Sequence, residues 1–198
     1  MKKFELTSET KINIFGKKLF RIKALISFGD VEAGETGGWV EKEGNVSQSG
    51  DAWVYGDAMV SGDAMVYGDA MVSGDAMVYG NAMVYGNAMV YGNAMVYGNA
   101  MVYGNAMVYG NAMVSGNAMV SGDARVYGDA DYTTIHGFGT QFRTTTFFRC
   151  KDKKVRVACG CFFGTIPEFR EQVKNTRKGK IAEEYLMIAD LMEKHFEK

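Results

Sequence analysis

Gly80-Asn81-Ala82-Met83-Val84-Tyr85 is followed directly by Gly86-Asn87-Ala88-Met89-Val90-Tyr91. This unit, Gly-[Asp/Asn]-Ala-Met-Val-[Tyr/Ser], repeats every six residues from Gly50 to Ala130, with Trp53 and Arg125 in place of Met. A fixed period decides the architecture before any local propensity is weighed. A helix is excluded, because glycine at every sixth position would cost about 1 kcal/mol each time and no helical periodicity is present. In extended chain, Ala and Val point to one side and Met and Tyr to the other. The Gly-Asp or Gly-Asn pair supplies the backbone angles of a tight corner. Small Ala beside the corner and β-branched Val in mid-strand fit a narrow interior. Such units wind into a parallel β-helix, about three to a coil.

At 18 residues per coil the repeat makes about 4.5 coils, a rod roughly 22 Å long at ~4.8 Å per rung. Gly38, Val40, Gly44 and Val46 carry the phase upstream imperfectly, so a degenerate first coil is expected near Gly38. The valine-then-alanine spacing resembles the hexapeptide-repeat superfamily of left-handed β-helix proteins. The resemblance implies a left-handed, triangular coil and a tendency to form trimers; fold alone does not carry the activity.

Three units follow from composition. Residues 1–49 form an N-terminal β cap, 50–130 the repeat, and 131–198 a C-terminal α+β unit. The formal charge of −1 divides into +1, −6 and +4 over these units. An acidic rod with a mildly basic tail is not the basic footprint of a nucleic-acid binder. The chain start has no apolar signal-peptide core and no stretch reaches a membrane-spanning length, so a cytoplasmic protein with reduced cysteines and no membrane partner is expected.

In the cap, Lys11 to Ile14, a Phe15-Gly16-Lys17-Lys18 turn and Leu19 to Leu25 read as a hairpin. Trp39 is expected to plug the first coil, since a solenoid needs its open end covered. The segment Phe28 to Glu41 resembles the N-terminal caps of bacterial and phage-borne hexapeptide proteins labelled as transferases by fold, which implies a phage setting and a host protein as partner. After the repeat, Thr144–Cys150 and Val155–Phe163 read as two strands. Thr165-Ile166-Pro167-Glu168 carries a capping-box pattern that opens a helix to Thr176, and a second helix begins at Ile181 with apolar residues at helical spacing.

Met columns dominate the outward face. Met65, Met83, Met101 and Met119 fall in one, Met59, Met77, Met95 and Met113 in another, and Trp53, Met71, Met89, Met107 and Arg125 in the third, with Tyr91 and Tyr109 alongside. Apolar strips of this extent mark interfaces, and Met is an adaptable contact residue. A homo-oligomer meeting a protein partner is therefore expected, with Trp53, Met65, Met83, Met101, Met119, Tyr91 and Tyr109 as contact residues. The superfamily resemblance implies an alternative, an acyltransferase taking acyl-CoA as substrate, with His136 as the general base. The repeat itself holds no histidine, and no cofactor is called for. His195 falls near the end of the last helix, where it favours the helix dipole. Cys150, Cys159 and Cys161 offer three thiols with a short C-x-C, short of a four-ligand zinc site, and read as buried core thiols. Stacked Asp57 and Asp75 lack the repeat motif of calcium-binding β-helices.

Overall fold

The computed structural model describes residues 2–197; Met1 and Lys198, the outermost residues of the two flanking units, lie outside the described residues. The chain opens with strands β1 (Phe4–Ile12), β2 (Lys18–Ala24) and β3 (Thr36–Val40). Short two-residue strands β4 to β16 then recur every six residues, from Trp53–Val54 to Arg125–Val126. They stack in parallel as three faces, since residues 18 apart pair, as Met83 does with Met101. A four-stranded antiparallel sheet follows: β17 (Tyr132–Phe138), β18 (Arg143–Arg149), β19 (Val155–Cys159) and β20 (Phe162–Thr165). Helices α1 (Ile166–Thr176) and α2 (Gly179–Phe196) close the chain. The chain is mainly β, with a parallel β-solenoid between an antiparallel N-terminal segment and an α+β end.

The repeat explains its own fold. Every Ala from Ala52 to Ala124 and every Val from Val54 to Val126 is fully buried, so the interior is a dry column of two small side chains. Each unit from Gly68 to Tyr109 donates three backbone hydrogen bonds to the next coil, as Asn81 N does to Gly98 O at 2.8 Å, Met83 N to Ala100 O at 2.9 Å and Tyr85 N to Val102 O at 3.0 Å. The corner requires glycine twice over. Gly98 has φ +72°, and a β-carbon there would lie 3.0 Å from the Gly116 nitrogen of the next coil.

The N-terminal end shows how an open coil is finished. Carbonyls of the coil beginning at Gly50 would take N–H donors from a preceding coil. Strand β3 supplies two of them, Trp39 N to Ala58 O and Glu41 N to Val60 O. Side chains supply others. Lys3 Nζ donates to Gly50 O and Ala52 O, Asn45 Nδ2 donates to Gly62 O and Ala64 O, and Arg21 Nη1 donates to Gly56 O. Lys3 and Asn45 are buried, as such donors must be when they replace backbone at a sheet edge. The hairpin of β1 and β2 forms as expected, with its first strand beginning earlier, at Phe4.

Trp39 does not plug the coil. It stands in register with Met59 on the outside, and Lys11 and Arg21 stack over its ring. Both tryptophans are buried, but Trp53 is the one that joins the solenoid core, held edge-on by Phe4 and Phe28 at ring distances of 5.8 and 5.3 Å.

At the other end the sheet β17–β20 is the plug. Phe148, Cys150 and Ala158 join the solenoid core, while Phe147 and Val157 face a second core built with α1 and α2. Thr146 Oγ1 accepts from Met119 N at 3.0 Å, and Lys151 N donates to Asp123 O. Two strands were expected here and four are present. The stretch Val155–Phe163 folds back on itself at Gly160, and Tyr132–Phe138 adds a strand of its own. The capping box forms as read, with Glu168 Oε2 accepting from Thr165 N at 2.7 Å and Thr165 Oγ1 accepting from Glu168 N.

Candidate functional site

Both ends of the rod are covered, so its lateral faces are what it offers. The face carrying Met65, Met83, Met101 and Met119 is the most regular. Met65 is exposed and the other three are half-buried, because each thioether lies against its neighbours along the column. Beside it Tyr67, Tyr85 and Tyr103 stack with ring centroids 4.8 and 4.9 Å apart and planes within 4°. Parallel stacking suits the rung spacing inside the rod, whereas Tyr109 and Tyr127 at its last coil meet edge-on at 66°. Burial in the stack raises the Tyr67 and Tyr85 hydroxyl pKa values.

Asn ladders run along the corners. Asn81 donates to Asn99 and Asn99 to Asn117, at 3.0 and 2.9 Å; Asn87 donates to Asn105 and Asn93 to Asn111, each at 3.1 Å. An amide both donates and accepts, so a column of Asn pairs with itself, which a column of carboxylates cannot do.

Other predicted contact residues are placed differently. Tyr91 and Tyr109 stack at 5.1 Å on the face of Met71, Met89 and Met107. Trp53 tops that same face but is fully buried, so it offers no surface to a second subunit. Periodicity placed it outward; Phe4 and Phe28, distant in sequence, cover it. The third face is occupied at both ends, by Phe15 against Tyr79 above and by Tyr132, whose hydroxyl donates to Met113 O, below.

His136 is exposed on β17, with Nδ1 3.2 Å from Thr144 Oγ1. It shares a shallow groove of about 250 Å³ with Asn117, Met119, Phe142 and Arg143, at the foot of the Met65–Met119 column. Two predicted site residues, His136 and Met119, are thereby brought together. His195 is exposed in the last turn of α2, edge-on to Phe196.

Residues 76–128 match the YdcK beta solenoid repeat. The match comes as seven overlapping windows, 76–90, 82–98, 88–104, 94–108, 100–116, 106–122 and 112–128. Their starts fall six residues apart, the period of the coil. The repeat model describes an architecture and covers about the last two thirds of the rod. No curated protein matches the chain. The chain thus shares a β-solenoid repeat with that family model.

The three cysteines do not form one core. Cys150 is buried at the end of the solenoid, where burial pushes its thiol up to about 11. Cys159 is half-buried and Cys161 exposed, on the far side of the sheet. Among the described residues no group of three or more His, Cys, Asp or Glu is placed to hold a metal, and no helix is long and apolar enough to cross a membrane.

Proposed function

We propose that this chain is a non-enzymatic β-solenoid scaffold that assembles with copies of itself and presents its ladder faces to a protein partner. One observation carries the reading: a Met65–Met119 column and a Tyr67–Tyr103 stack run side by side along a rod with both ends capped. End-to-end growth is blocked by the caps, so association is directed sideways. A trimer around these faces is the arrangement favoured by the superfamily resemblance, and the phage-like cap favours a host protein as partner in the cytoplasm. Met83→Glu with Met101→Glu places two carboxylates on the proposed interface. Sedimentation velocity should then show the assembly replaced by a slower, folded species; an unchanged profile would remove this face as the interface.

The groove shared by His136 and Met119 supports a second reading, acyl transfer from acyl-CoA with His136 as base. Acetyl-CoA should then raise the thermal midpoint of the wild-type chain and fail to do so in His136→Ala. No shift in either would leave the scaffold reading standing alone.

A further inference from the structure

Gly160 and Cys161 are the two turn residues between β19 and β20, since Cys159 pairs with Phe162. Gly160 adopts φ +61°, which a two-residue hairpin accepts readily from glycine. The Arg143 guanidinium lies over this turn, so a β-carbon at Gly160 would have to push it aside. Both thiols line one cleft of about 140 Å³, together with Arg143, Arg177 and Tyr185. Thr145 Oγ1 lies 3.1 Å from Cys159 Sγ and donates to it. One sulfur is therefore fixed and half-buried while the other is exposed at the mouth, two residues away and across a single glycine.

We infer that Cys159 and Cys161 form a dithiol site that exchanges with low-molecular-weight disulfides. The exposed Cys161 is the entry thiol. Its thiolate attacks one sulfur of a disulfide RSSR; a Cys161–SR bond forms, the S–S bond breaks and RS⁻ leaves. Cys159, deprotonated by solvent, then attacks the Cys161 sulfur, closes the Cys159–Cys161 disulfide and expels the second RS⁻. The protein dithiol is oxidised, RSSR is reduced to two RSH, and the protons lost by the two cysteines end on the two released thiols. Flexible glycine between the cysteines lets the ring close, and Arg143 lies over the turn that joins them. This site adjoins the His136 groove through Arg143 and Gly160, and it does not rest on the scaffold reading.

The test uses the full chain and oxidised glutathione. After reaction, alkylation and trypsin digestion, the peptide 157–170 contains Cys159 and Cys161 and excludes Cys150. It should be recovered lighter by two hydrogens, with Cys150 alkylated. Cys159→Ser should stop at a glutathione adduct on Cys161. In the reduced chain, the exposed Cys161 should alkylate at least about tenfold faster than the buried Cys150. Recovery of the peptide fully alkylated, under conditions that oxidise a free peptide of the same sequence, would overturn the proposal.

Discussion

The Lys3 ammonium nitrogen sits 2.8 Å from the Ala52 carbonyl oxygen, in the place that a backbone N–H from Met83 occupies toward Ala100 inside the rod. With its second bond to Gly50 O, at 3.0 Å, one side chain does the work of two missing backbone donors. Lys3→Met keeps the buried stem and leaves both carbonyls unpaired. A loss of about 2–3 kcal/mol is expected from the cost of buried unsatisfied acceptors, read by urea denaturation at neutral pH.

The same lysine gives a pH signature of unusual sign. Burial lowers its pKa to about 8, only partly opposed by Asp51 and Asp69. In the unfolded chain the group titrates near 10.5. Between these values the unfolded state holds more protons than the folded one, so this group's contribution to stability rises with pH. The neutral amine keeps two N–H donors for the two carbonyls. The stability gap between wild type and Lys3→Met should therefore widen from pH 7 to pH 9.5, and taking the difference cancels the tyrosines that also titrate. A gap that narrows would mean that the ammonium is stabilised in place.

Trp53→Ala should cost about 3–5 kcal/mol, the range for deleting a large buried aromatic side chain. Phe4 and Phe28 lose the ring they pack on, so the N-terminal segment loosens first. The number of subunits should not change, because Trp53 is not on the surface. Hydrogen exchange of residues 2–30 beside a mass measurement at native pH separates the two effects.

Much of the fold was legible because each structural role in the rod is repeated. Corner glycine, buried Ala and Val, and outward Met and Tyr are set by local geometry and recur six residues apart. What sequence missed depends on distant chain. Lys3 is buried because carbonyls 47 and 49 residues away need donors. Trp53 keeps the phase of the Met column and is covered by aromatic rings from another segment. The signal for β17 was present in Thr133-Thr134-Ile135, three β-branched residues in a row, and the break in Val155–Phe163 was written in Gly160. His136 was singled out from its residue type and place after the last coil. Its proximity to Met119 required the sheet to fold under the rod.

Two corner glycines separate backbone strain from crowding. Gly98 and Gly116 both have positive φ, +72° and +67°, but only Gly98 faces backbone of a following coil. Gly116→Ala should cost about 1–2 kcal/mol for the left-handed conformation alone. Gly98→Ala should cost clearly more, since its methyl group meets the Gly116 nitrogen at 3.0 Å. Thermal midpoints of the two variants, compared at one pH, give the ordering.

Sedimentation equilibrium of the wild-type chain over a wide concentration range tests the scaffold most directly. A mass that settles at a small whole multiple of the chain, three being expected, and that falls toward a single chain in the Met83→Glu, Met101→Glu variant is the result predicted here. A wild-type mass of one chain at every concentration would contradict it.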